Sequence, residues 1–221
     1  MRRVALFGGS FDPIHMGHIA VAQEVLNQFK VDKVRFIPAF KSPNKSNEST
    51  TPSGHRVAMV KIAIEGDDRF ELSDLELKRS GNSYTCQTLE ELHREEPDTR
   101  WFWIMGLDTF LDLPGWKNFD QILDLADLIV APRPGYKIDD LEDTLVNLKI
   151  NSKHSAFPLI PEKGVNSITT GRSDHKIYFL SKPVVDLSSS NIRREFVQKP
   201  SIKKMLPPPV VQYIMDHQLY S

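Results

Sequence analysis

The 221 residues carry a formal net charge of −1, are 40% hydrophobic and 26% charged, and include one cysteine, Cys86. That length accommodates one well-cored α/β domain and not two large ones. The near-zero charge excludes a global basic field for wrapping DNA or RNA, and a single cysteine excludes an intrachain disulfide and fits a reducing compartment, with Cys86 as a small packing residue. Arg2-Arg3 do not open an export signal, because the apolar run behind them breaks at Gly8-Gly9, and no apolar stretch is long enough to span a bilayer. The expectation is a cytoplasmic protein, one domain over 1–221, with a small ligand and neither nucleic acid nor membrane as partner; a homo-oligomer is left open.

In chain order, Val4-Ala5-Leu6-Phe7 reads as a buried parallel strand stopped by Gly8-Gly9, where the backbone can approach a ligand. After His18, Ile19, Ala22, Val25, Leu26 and Phe29 recur at helical spacing, so His18 belongs near the first turn of a helix. Strand, glycine turn and helix start make a phosphate site: first-turn N–H groups and the positive helix end attract anions, and His15 and His18 add donors, neutral or charged near pH 7. A metal would need a third ligand, and no Cys and no acidic residue besides Asp12 lies near enough in sequence to supply one, so phosphate ranks above metal. Val34–Ile37 is the next strand, and the polar segment from Lys41 to Ser53 belongs over the C-terminal edge of the sheet. Its lysines either reach phosphates or are solvated; both readings stay open. Ser53 is the expected N-cap of a helix carrying Val57, Val60 and Ile64, Phe70–Leu72 is a short strand, and Thr85 is a candidate cap for the helix of Leu89 and Leu92.

Trp101–Met105 is the strongest buried-strand signal and ends in Gly106-Leu107-Asp108, where a carboxylate either meets a ribose hydroxyl or caps a helix. Pro114-Gly115-Trp116 makes a turn that presents an indole; Phe119, Ile122, Leu123 and Ala126 mark a helix, Leu128–Ala131 a strand, and Ile177–Leu180 another. Leu141, Leu145 and Leu148 suggest a helix, residues 151 to 174 read as a polar surface loop, and 136–176 together are a candidate insertion or lid. Ser188-Ser189-Ser190 with Arg193 form a second helix start suited to phosphate oxygens, and Pro207–Pro209 with Val210, Val211 and Ile214 close the chain with a structural helix. Strands alternating with helices predict a parallel sheet with right-handed crossovers: a doubly wound, Rossmann-like α/β fold with a C-terminal helical segment. Two anion-binding helix starts suit a nucleoside triphosphate. There is no Gly-x-x-x-x-Gly-Lys-Ser/Thr and no nucleophile beside a base, so the expected chemistry is direct in-line attack of a substrate phosphate on the α-phosphorus of ATP, with Mg2+ carried on the triphosphate.

Gly8-Gly9-Ser10-Phe11-Asp12-Pro13-Ile14-His15-Met16-Gly17-His18 resembles the signature of the nucleotidyltransferase superfamily, whose His-x-Gly-His element is shared with class I aminoacyl-tRNA synthetases. Further segments in family order, Ser83-Tyr84-Thr85, Gly106-Leu107-Asp108, Trp116, Arg133-Pro134-Gly135 and Ser188 through Arg193, resemble bacterial nicotinate mononucleotide adenylyltransferases. The resemblance implies transfer of the adenylyl group of ATP to nicotinate mononucleotide, giving deamido-NAD and pyrophosphate. It implies that His15 and His18 stabilise the transferring phosphates, that Ser188, Ser189 and Arg193 hold the ATP phosphates, and that Gly106 and Asp108 meet the adenosine ribose. Gly8, Gly9, Ser10 and Phe11 are then the ATP-side turn. Asp12, Lys45, Trp116 and the backbone N–H groups of Thr85 and Lys117 serve the pyridine nucleotide, with the indole on the ring and the N–H groups on the nicotinate carboxylate. A flat pyridinium on indole fits the ring assignment, at about 0.5 to 2 kcal/mol. One departure is Pro43-Asn44-Lys45, where the family commonly has Pro-His-Lys or Pro-His-Arg. The rivals are a pantetheine-phosphate adenylyltransferase or cytidylyltransferase, which Trp116 and Ser83-Tyr84-Thr85 oppose, and a non-catalytic nucleotide sensor, which intact His15, His18 and Arg193 oppose.

Overall fold

A computed structural model describes residues 1–43, 51–79, 81–132, 144–148, 166–170, 173–180 and 187–221. Its strands are β1 (Arg2–Gly9), β2 (Lys33–Pro38), β3 (Phe70–Leu72), β4 (Thr99–Gly106), β5 (Asp127–Ala131), β6 (Asn166–Thr169) and β7 (Lys176–Phe179). The helices are α1 (Met16–Gln28), α2 (Ser53–Ile64), α3 (Leu75–Lys78), α4 (Thr85–Glu95), α5 (Leu107–Leu111), α6 (Phe119–Leu125), α7 (Ser189–Glu195) and α8 (Pro208–Asp216). The seven strands form one sheet in the order β3-β2-β1-β4-β5-β7-β6, parallel except for the edge pair β6–β7.

Side-chain alternation along the central strands explains why they read as continuous apolar runs. Val4, Leu6, Trp101, Trp103 and Met105 point to a layer completed by α4 and α6, whereas Ala5, Phe7, Phe102 and Ile104 point to the layer of α1, α2 and α8. Both faces are therefore dry, as a parallel sheet covered by crossover helices requires. Cys86 packs in the first of these layers at 1% exposure, and burial pushes its thiol pKa up, which makes it inert.

The structure departs from the sequence reading in three places. Residues 166–169, read as polar loop, form the antiparallel edge strand; Ile168 is their one buried apolar residue, and a single such position carries no period. Ser53 is the first helical residue and not the cap, because Pro52, with φ −47 and ψ 140, already turns the extended chain into α2. Thr85 is likewise first in α4, behind Tyr84. Arg133-Pro134-Gly135, Lys45, Leu141 and most of 136–176 lie outside the described residues.

Strand β1 has β2 on one side and β4 on the other, so the winding reverses between β1 and β4. In open α/β sheets the crevice at such a switch point, beyond the strand C-termini, receives ligands. Here those termini are Gly8-Gly9 and Gly106.

Candidate active site

Gly8 lets β1 and β4 converge: a β-carbon there would stand 2.5 Å from the Trp103 ring. Three residues on, Phe11 takes a left-handed φ of 47. That costs a non-glycine residue about 1 to 2 kcal/mol and is held by burial of its ring, which meets His18 edge-on at 5.1 Å and Phe7 at 5.7 Å. The turn thereby delivers His15 as N-cap of α1 and His18 as its third residue.

The two histidines cap each other. The His18 N–H donates to His15 Nδ1 at 3.3 Å, the His15 N–H donates to His18 Nδ1 at 3.2 Å, and the rings stack at 3.6 Å. An Nδ1 that accepts from a backbone N–H cannot itself carry a proton, so in this arrangement both ring protons sit on Nε2. Converting either ring to imidazolium would make its Nδ1 a donor and break the bond. The local geometry thus turns both Nδ1 atoms to the backbone and leaves both Nε2 atoms facing away from it, beside Gly17, whose N–H helical geometry leaves without an intrahelical acceptor.

The turn is gripped from behind by distant parts of the chain. Arg56, on the buried face of α2 at 3% exposure, donates to the carbonyls of Ser10 (2.7 Å), Thr51 (3.0 Å) and Phe40 (3.3 Å). Ser189 Oγ donates to the Pro13 carbonyl at 3.0 Å, and Arg193 Nη1 to the Asp12 carbonyl at 2.7 Å. The Asp12 carboxylate, 1% exposed, accepts the Thr51 N–H at 3.1 Å and the Tyr220 hydroxyl at 2.7 Å.

In front of the turn opens a cavity of about 840 Å³. It gathers Gly8, Gly9, Ser10, Phe11, His15, His18, Thr85, Gly106, Asp108, Trp116, Lys117, Ser188 and Ser189. Asp12 and Arg193 are not on its wall; Arg193 stands one layer back, with Nη2 donating to Ser190 Oγ at 3.3 Å, and Ser190 is on the wall. Gly106 makes room for the Asp108 carboxylate, since a β-carbon there would collide with Asp108 Oδ1. That oxygen accepts the Thr109 N–H at 2.9 Å, so Asp108 serves the start of α5 while facing the cavity. Ser188 caps α7 through its backbone and spends no side-chain bond on it. Trp116 packs against the Trp103 layer and borders the cavity as well, and its indole Nε1 is buried with no acceptor among the described residues. Lys117 lays its ammonium 4.4 Å over the Tyr84 ring.

Sequence reasoning overlooked Arg56, Glu76 and Tyr220. Glu76 lies in the cavity wall at 4% exposure and accepts from Thr88 Oγ1 at 2.7 Å. Burial raises its carboxyl pKa, against the opposing hydroxyl bonds from Thr88 and Ser83 and the charge of Arg79. Only Arg56 left a signal, a charge four residues before Val60 on the apolar stripe of α2. Among the described residues no group of three His, Cys, Asp or Glu converges to hold a metal ion, and no helix is long and apolar enough to cross a membrane.

A glycine turn at a switch point, facing a cavity walled by helix starts, defines a nucleotide-binding α/β protein. Residues 6–195 match the cytidylyltransferase-like family. A probable nicotinate-nucleotide adenylyltransferase of Clostridium tetani is 36% identical over 220 residues, covering 100% of both chains, and one of Desulfatibacillum aliphaticivorans is 37% identical over 218 residues, covering 99% of each. The fold is similar to that of Plasmodium falciparum nicotinic acid mononucleotide adenylyltransferase complexed with NaAD, with a TM-score of 0.74 at 22% identity over 100% of this chain and 98% of that one. The chain belongs to the nicotinate-nucleotide adenylyltransferase family within the cytidylyltransferase-like group.

Proposed function

We propose that this chain transfers the adenylyl group of ATP to nicotinate mononucleotide, giving deamido-NAD and pyrophosphate for NAD biosynthesis. The observation that carries the reading is one cavity of about 840 Å³ joining the His15–His18 turn to Trp116, Thr85 and Lys117. That is large for a mononucleotide and suited to two nucleotides end to end. An oxygen of the nicotinate nucleotide phosphate attacks the α-phosphorus of ATP, the bond from that phosphorus to the bridging oxygen breaks, and pyrophosphate leaves with the electron pair. No protein atom becomes covalently attached. The work of the chain is placement and charge stabilisation.

In this reading His15 and His18 donate from Nε2 to the phosphate oxygens as charge shifts between them, with the start of α1 adding N–H groups. Ser188, Ser189 and Arg193 hold the outer phosphates, and Gly106 and Asp108 receive the adenosine ribose beside Gly8, Gly9, Ser10 and Phe11. Trp116 stacks on the pyridine, and the N–H groups of Thr85 and Lys117 meet its carboxylate, with Lys45 as a further cation. Asp12 acts through the turn and not by touching substrate, since its side chain is spent on Thr51 and Tyr220. A Mg2+ carried on the triphosphate would supply charge neutralisation beside His15, His18 and the hydroxyl of Ser188. The purified protein should release pyrophosphate with ATP plus nicotinate mononucleotide, and more slowly with the nicotinamide nucleotide. Release with pantetheine phosphate instead, or none with any acceptor, would overturn the assignment.

A further inference from the structure

Glu76, on α3, stands in the cavity wall yet is only 4% exposed, so its carboxyl is engaged with the protein behind the wall. It accepts the Thr88 hydroxyl at 2.7 Å and the Ser83 hydroxyl as well. These two partners bracket Tyr84 and Thr85: Ser83 comes just before them, and Thr88 lies in the first turn of α4. Each hydroxyl oxygen already accepts from elsewhere, which leaves its proton for Glu76. Ser83 Oγ takes the Phe40 N–H at 2.9 Å, and Thr88 Oγ1 takes Arg79 Nη2 at 2.8 Å. The Ser83 N–H donates to the Lys41 carbonyl at 2.8 Å, which ties the same turn to the chain leaving β2.

Thr85 is first in α4, so its N–H has no intrahelical acceptor, and Tyr84, Thr85 and Lys117 all border the cavity. Lys117 is attached to the same segment, with its ammonium 4.4 Å over the Tyr84 ring. We propose that Glu76 is a positioning residue for the acceptor: by holding Ser83 and Thr88 it fixes the Tyr84-Thr85 step between them, and with it the preference for a carboxylate over a carboxamide on the pyridine ring. This rests on the reading that the Thr85 and Lys117 N–H groups meet the nicotinate carboxylate. Two N–H donors aimed at one group suit a carboxylate, whose oxygens only accept, whereas a carboxamide offers one acceptor oxygen and an opposing NH2. Glu76 does not touch the ligand in this role. Acting instead as a bare negative charge in the wall, it would repel a carboxylate and favour the amide, so the two roles predict opposite signs when the charge is removed.

Glu76→Gln keeps the shape of the side chain and leaves one acceptor oxygen for two hydroxyls. Thr88 then has the Tyr84 carbonyl, 3.4 Å away, to turn to, and one link between α3 and the start of α4 is lost. Thr88→Val removes the same link from its other side. Titration calorimetry with nicotinate and nicotinamide mononucleotides should show the ratio of their affinities fall about tenfold in either variant, the size of one hydrogen bond to a charged group. Affinity for a non-hydrolysable ATP analogue should not change. The double variant Glu76→Gln/Thr88→Val should be no worse than Glu76→Gln, because both changes act through one bond. A ratio that rises in Glu76→Gln would mean that the charge acts by direct repulsion. An unchanged ratio, additive losses in the double variant, or equal weakening of both mononucleotides and the analogue would mean that these bonds hold the wall and do nothing for selection. Each of those results overturns the proposal. A parent that fails to prefer the acid sinks the proposed acceptor together with this inference, whereas a parent that prefers it and shares that preference with both variants sinks this inference alone.

Discussion

At the N-terminal ends of β4, β5 and β7, Arg100 donates to Asp127 at 2.6 and 3.0 Å and to Asp174 at 2.8 Å, and Asp127 also takes the Lys176 N–H at 2.8 Å. Next to it, Arg35 and Arg2 share Glu71 and Glu96. At the opposite ends of β1 and β4 the polar groups instead border a cavity: the stacked histidines, Asp108, and an indole N–H with no acceptor among the described residues. One end of the sheet pairs its charges with one another and the other turns polar groups toward a cavity. Changes at the first should therefore cost stability and spare turnover, and changes at the second should do the reverse.

The sharpest test of that division is His18. His18→Ala should lower turnover by about 10²- to 10³-fold, the effect of deleting one preorganised donor to developing charge. Alanine also removes half of the reciprocal cap, worth about 1 kcal/mol. His18→Gln separates the two, because an amide at the third helical position can still accept from the His15 N–H. The expected outcome is recovered thermal stability without recovered turnover, read from kcat and a thermal unfolding midpoint on the same preparation. Turnover that follows the midpoint would mean that the imidazole does nothing beyond capping.

Asp127→Ala tests the other end. Asp127 is fully buried and Arg100 retains 17% side-chain exposure, so truncation should cost about 3 kcal/mol, the low end for breaking a buried pair, with kcat of the folded protein unchanged. Burial alone would raise the Asp127 pKa, but the His175 ring, the Arg100 guanidinium and the Lys176 N–H together outweigh it and hold it below the ordinary value. A depressed carboxylate stabilises above its unfolded pKa of about 3.9 and loses that contribution as pH falls through the lower folded value. Denaturant melts should show parent and variant converging at acid pH. A constant gap would assign the cost to lost packing and not to charge.

How far each end could be seen in the sequence follows from how local its determinants are. Gly8-Gly9, His15 and His18 sit on consecutive turns of one strand–helix unit, so their spacing alone placed them together, and the apolar runs of β1 and β4 placed them at a buried sheet. Asp12 lies in the same stretch, and the resemblance implies a substrate contact for it; only Thr51 and Tyr220, which packing brings to it, show that its carboxylate faces inward. Arg100 and Asp127 follow the same rule, being joined by side-chain bonds between β4 and β5 and 27 positions apart in the chain, and strand β6 has one buried apolar side chain to announce it. Short-range geometry was legible; partnerships made by tertiary packing were not.

Glu76 carries the comparison to the smallest effect, because it is a carboxyl at the cavity end with the opposite pKa direction from Asp127. Burial is its largest influence and raises it, while Thr88, Ser83 and Arg79 oppose without prevailing. For a carboxyl whose folded pKa lies above the unfolded one, ionisation is resisted by the fold. Its penalty is absent below the unfolded pKa of about 4.3 and grows as pH rises toward the folded value. Glu76→Gln should then be slightly more stable than the parent at neutral pH, with the gain vanishing in acid, whereas Asp127→Ala loses stability at neutral pH and recovers in acid. Denaturant melts of the two variants across the same pH series decide it. A Glu76→Gln protein less stable than the parent at neutral pH would mean that the Thr88 and Ser83 hydroxyls favour the anion more than burial opposes it, and the cavity wall would then be as internally satisfied as the far end of the sheet.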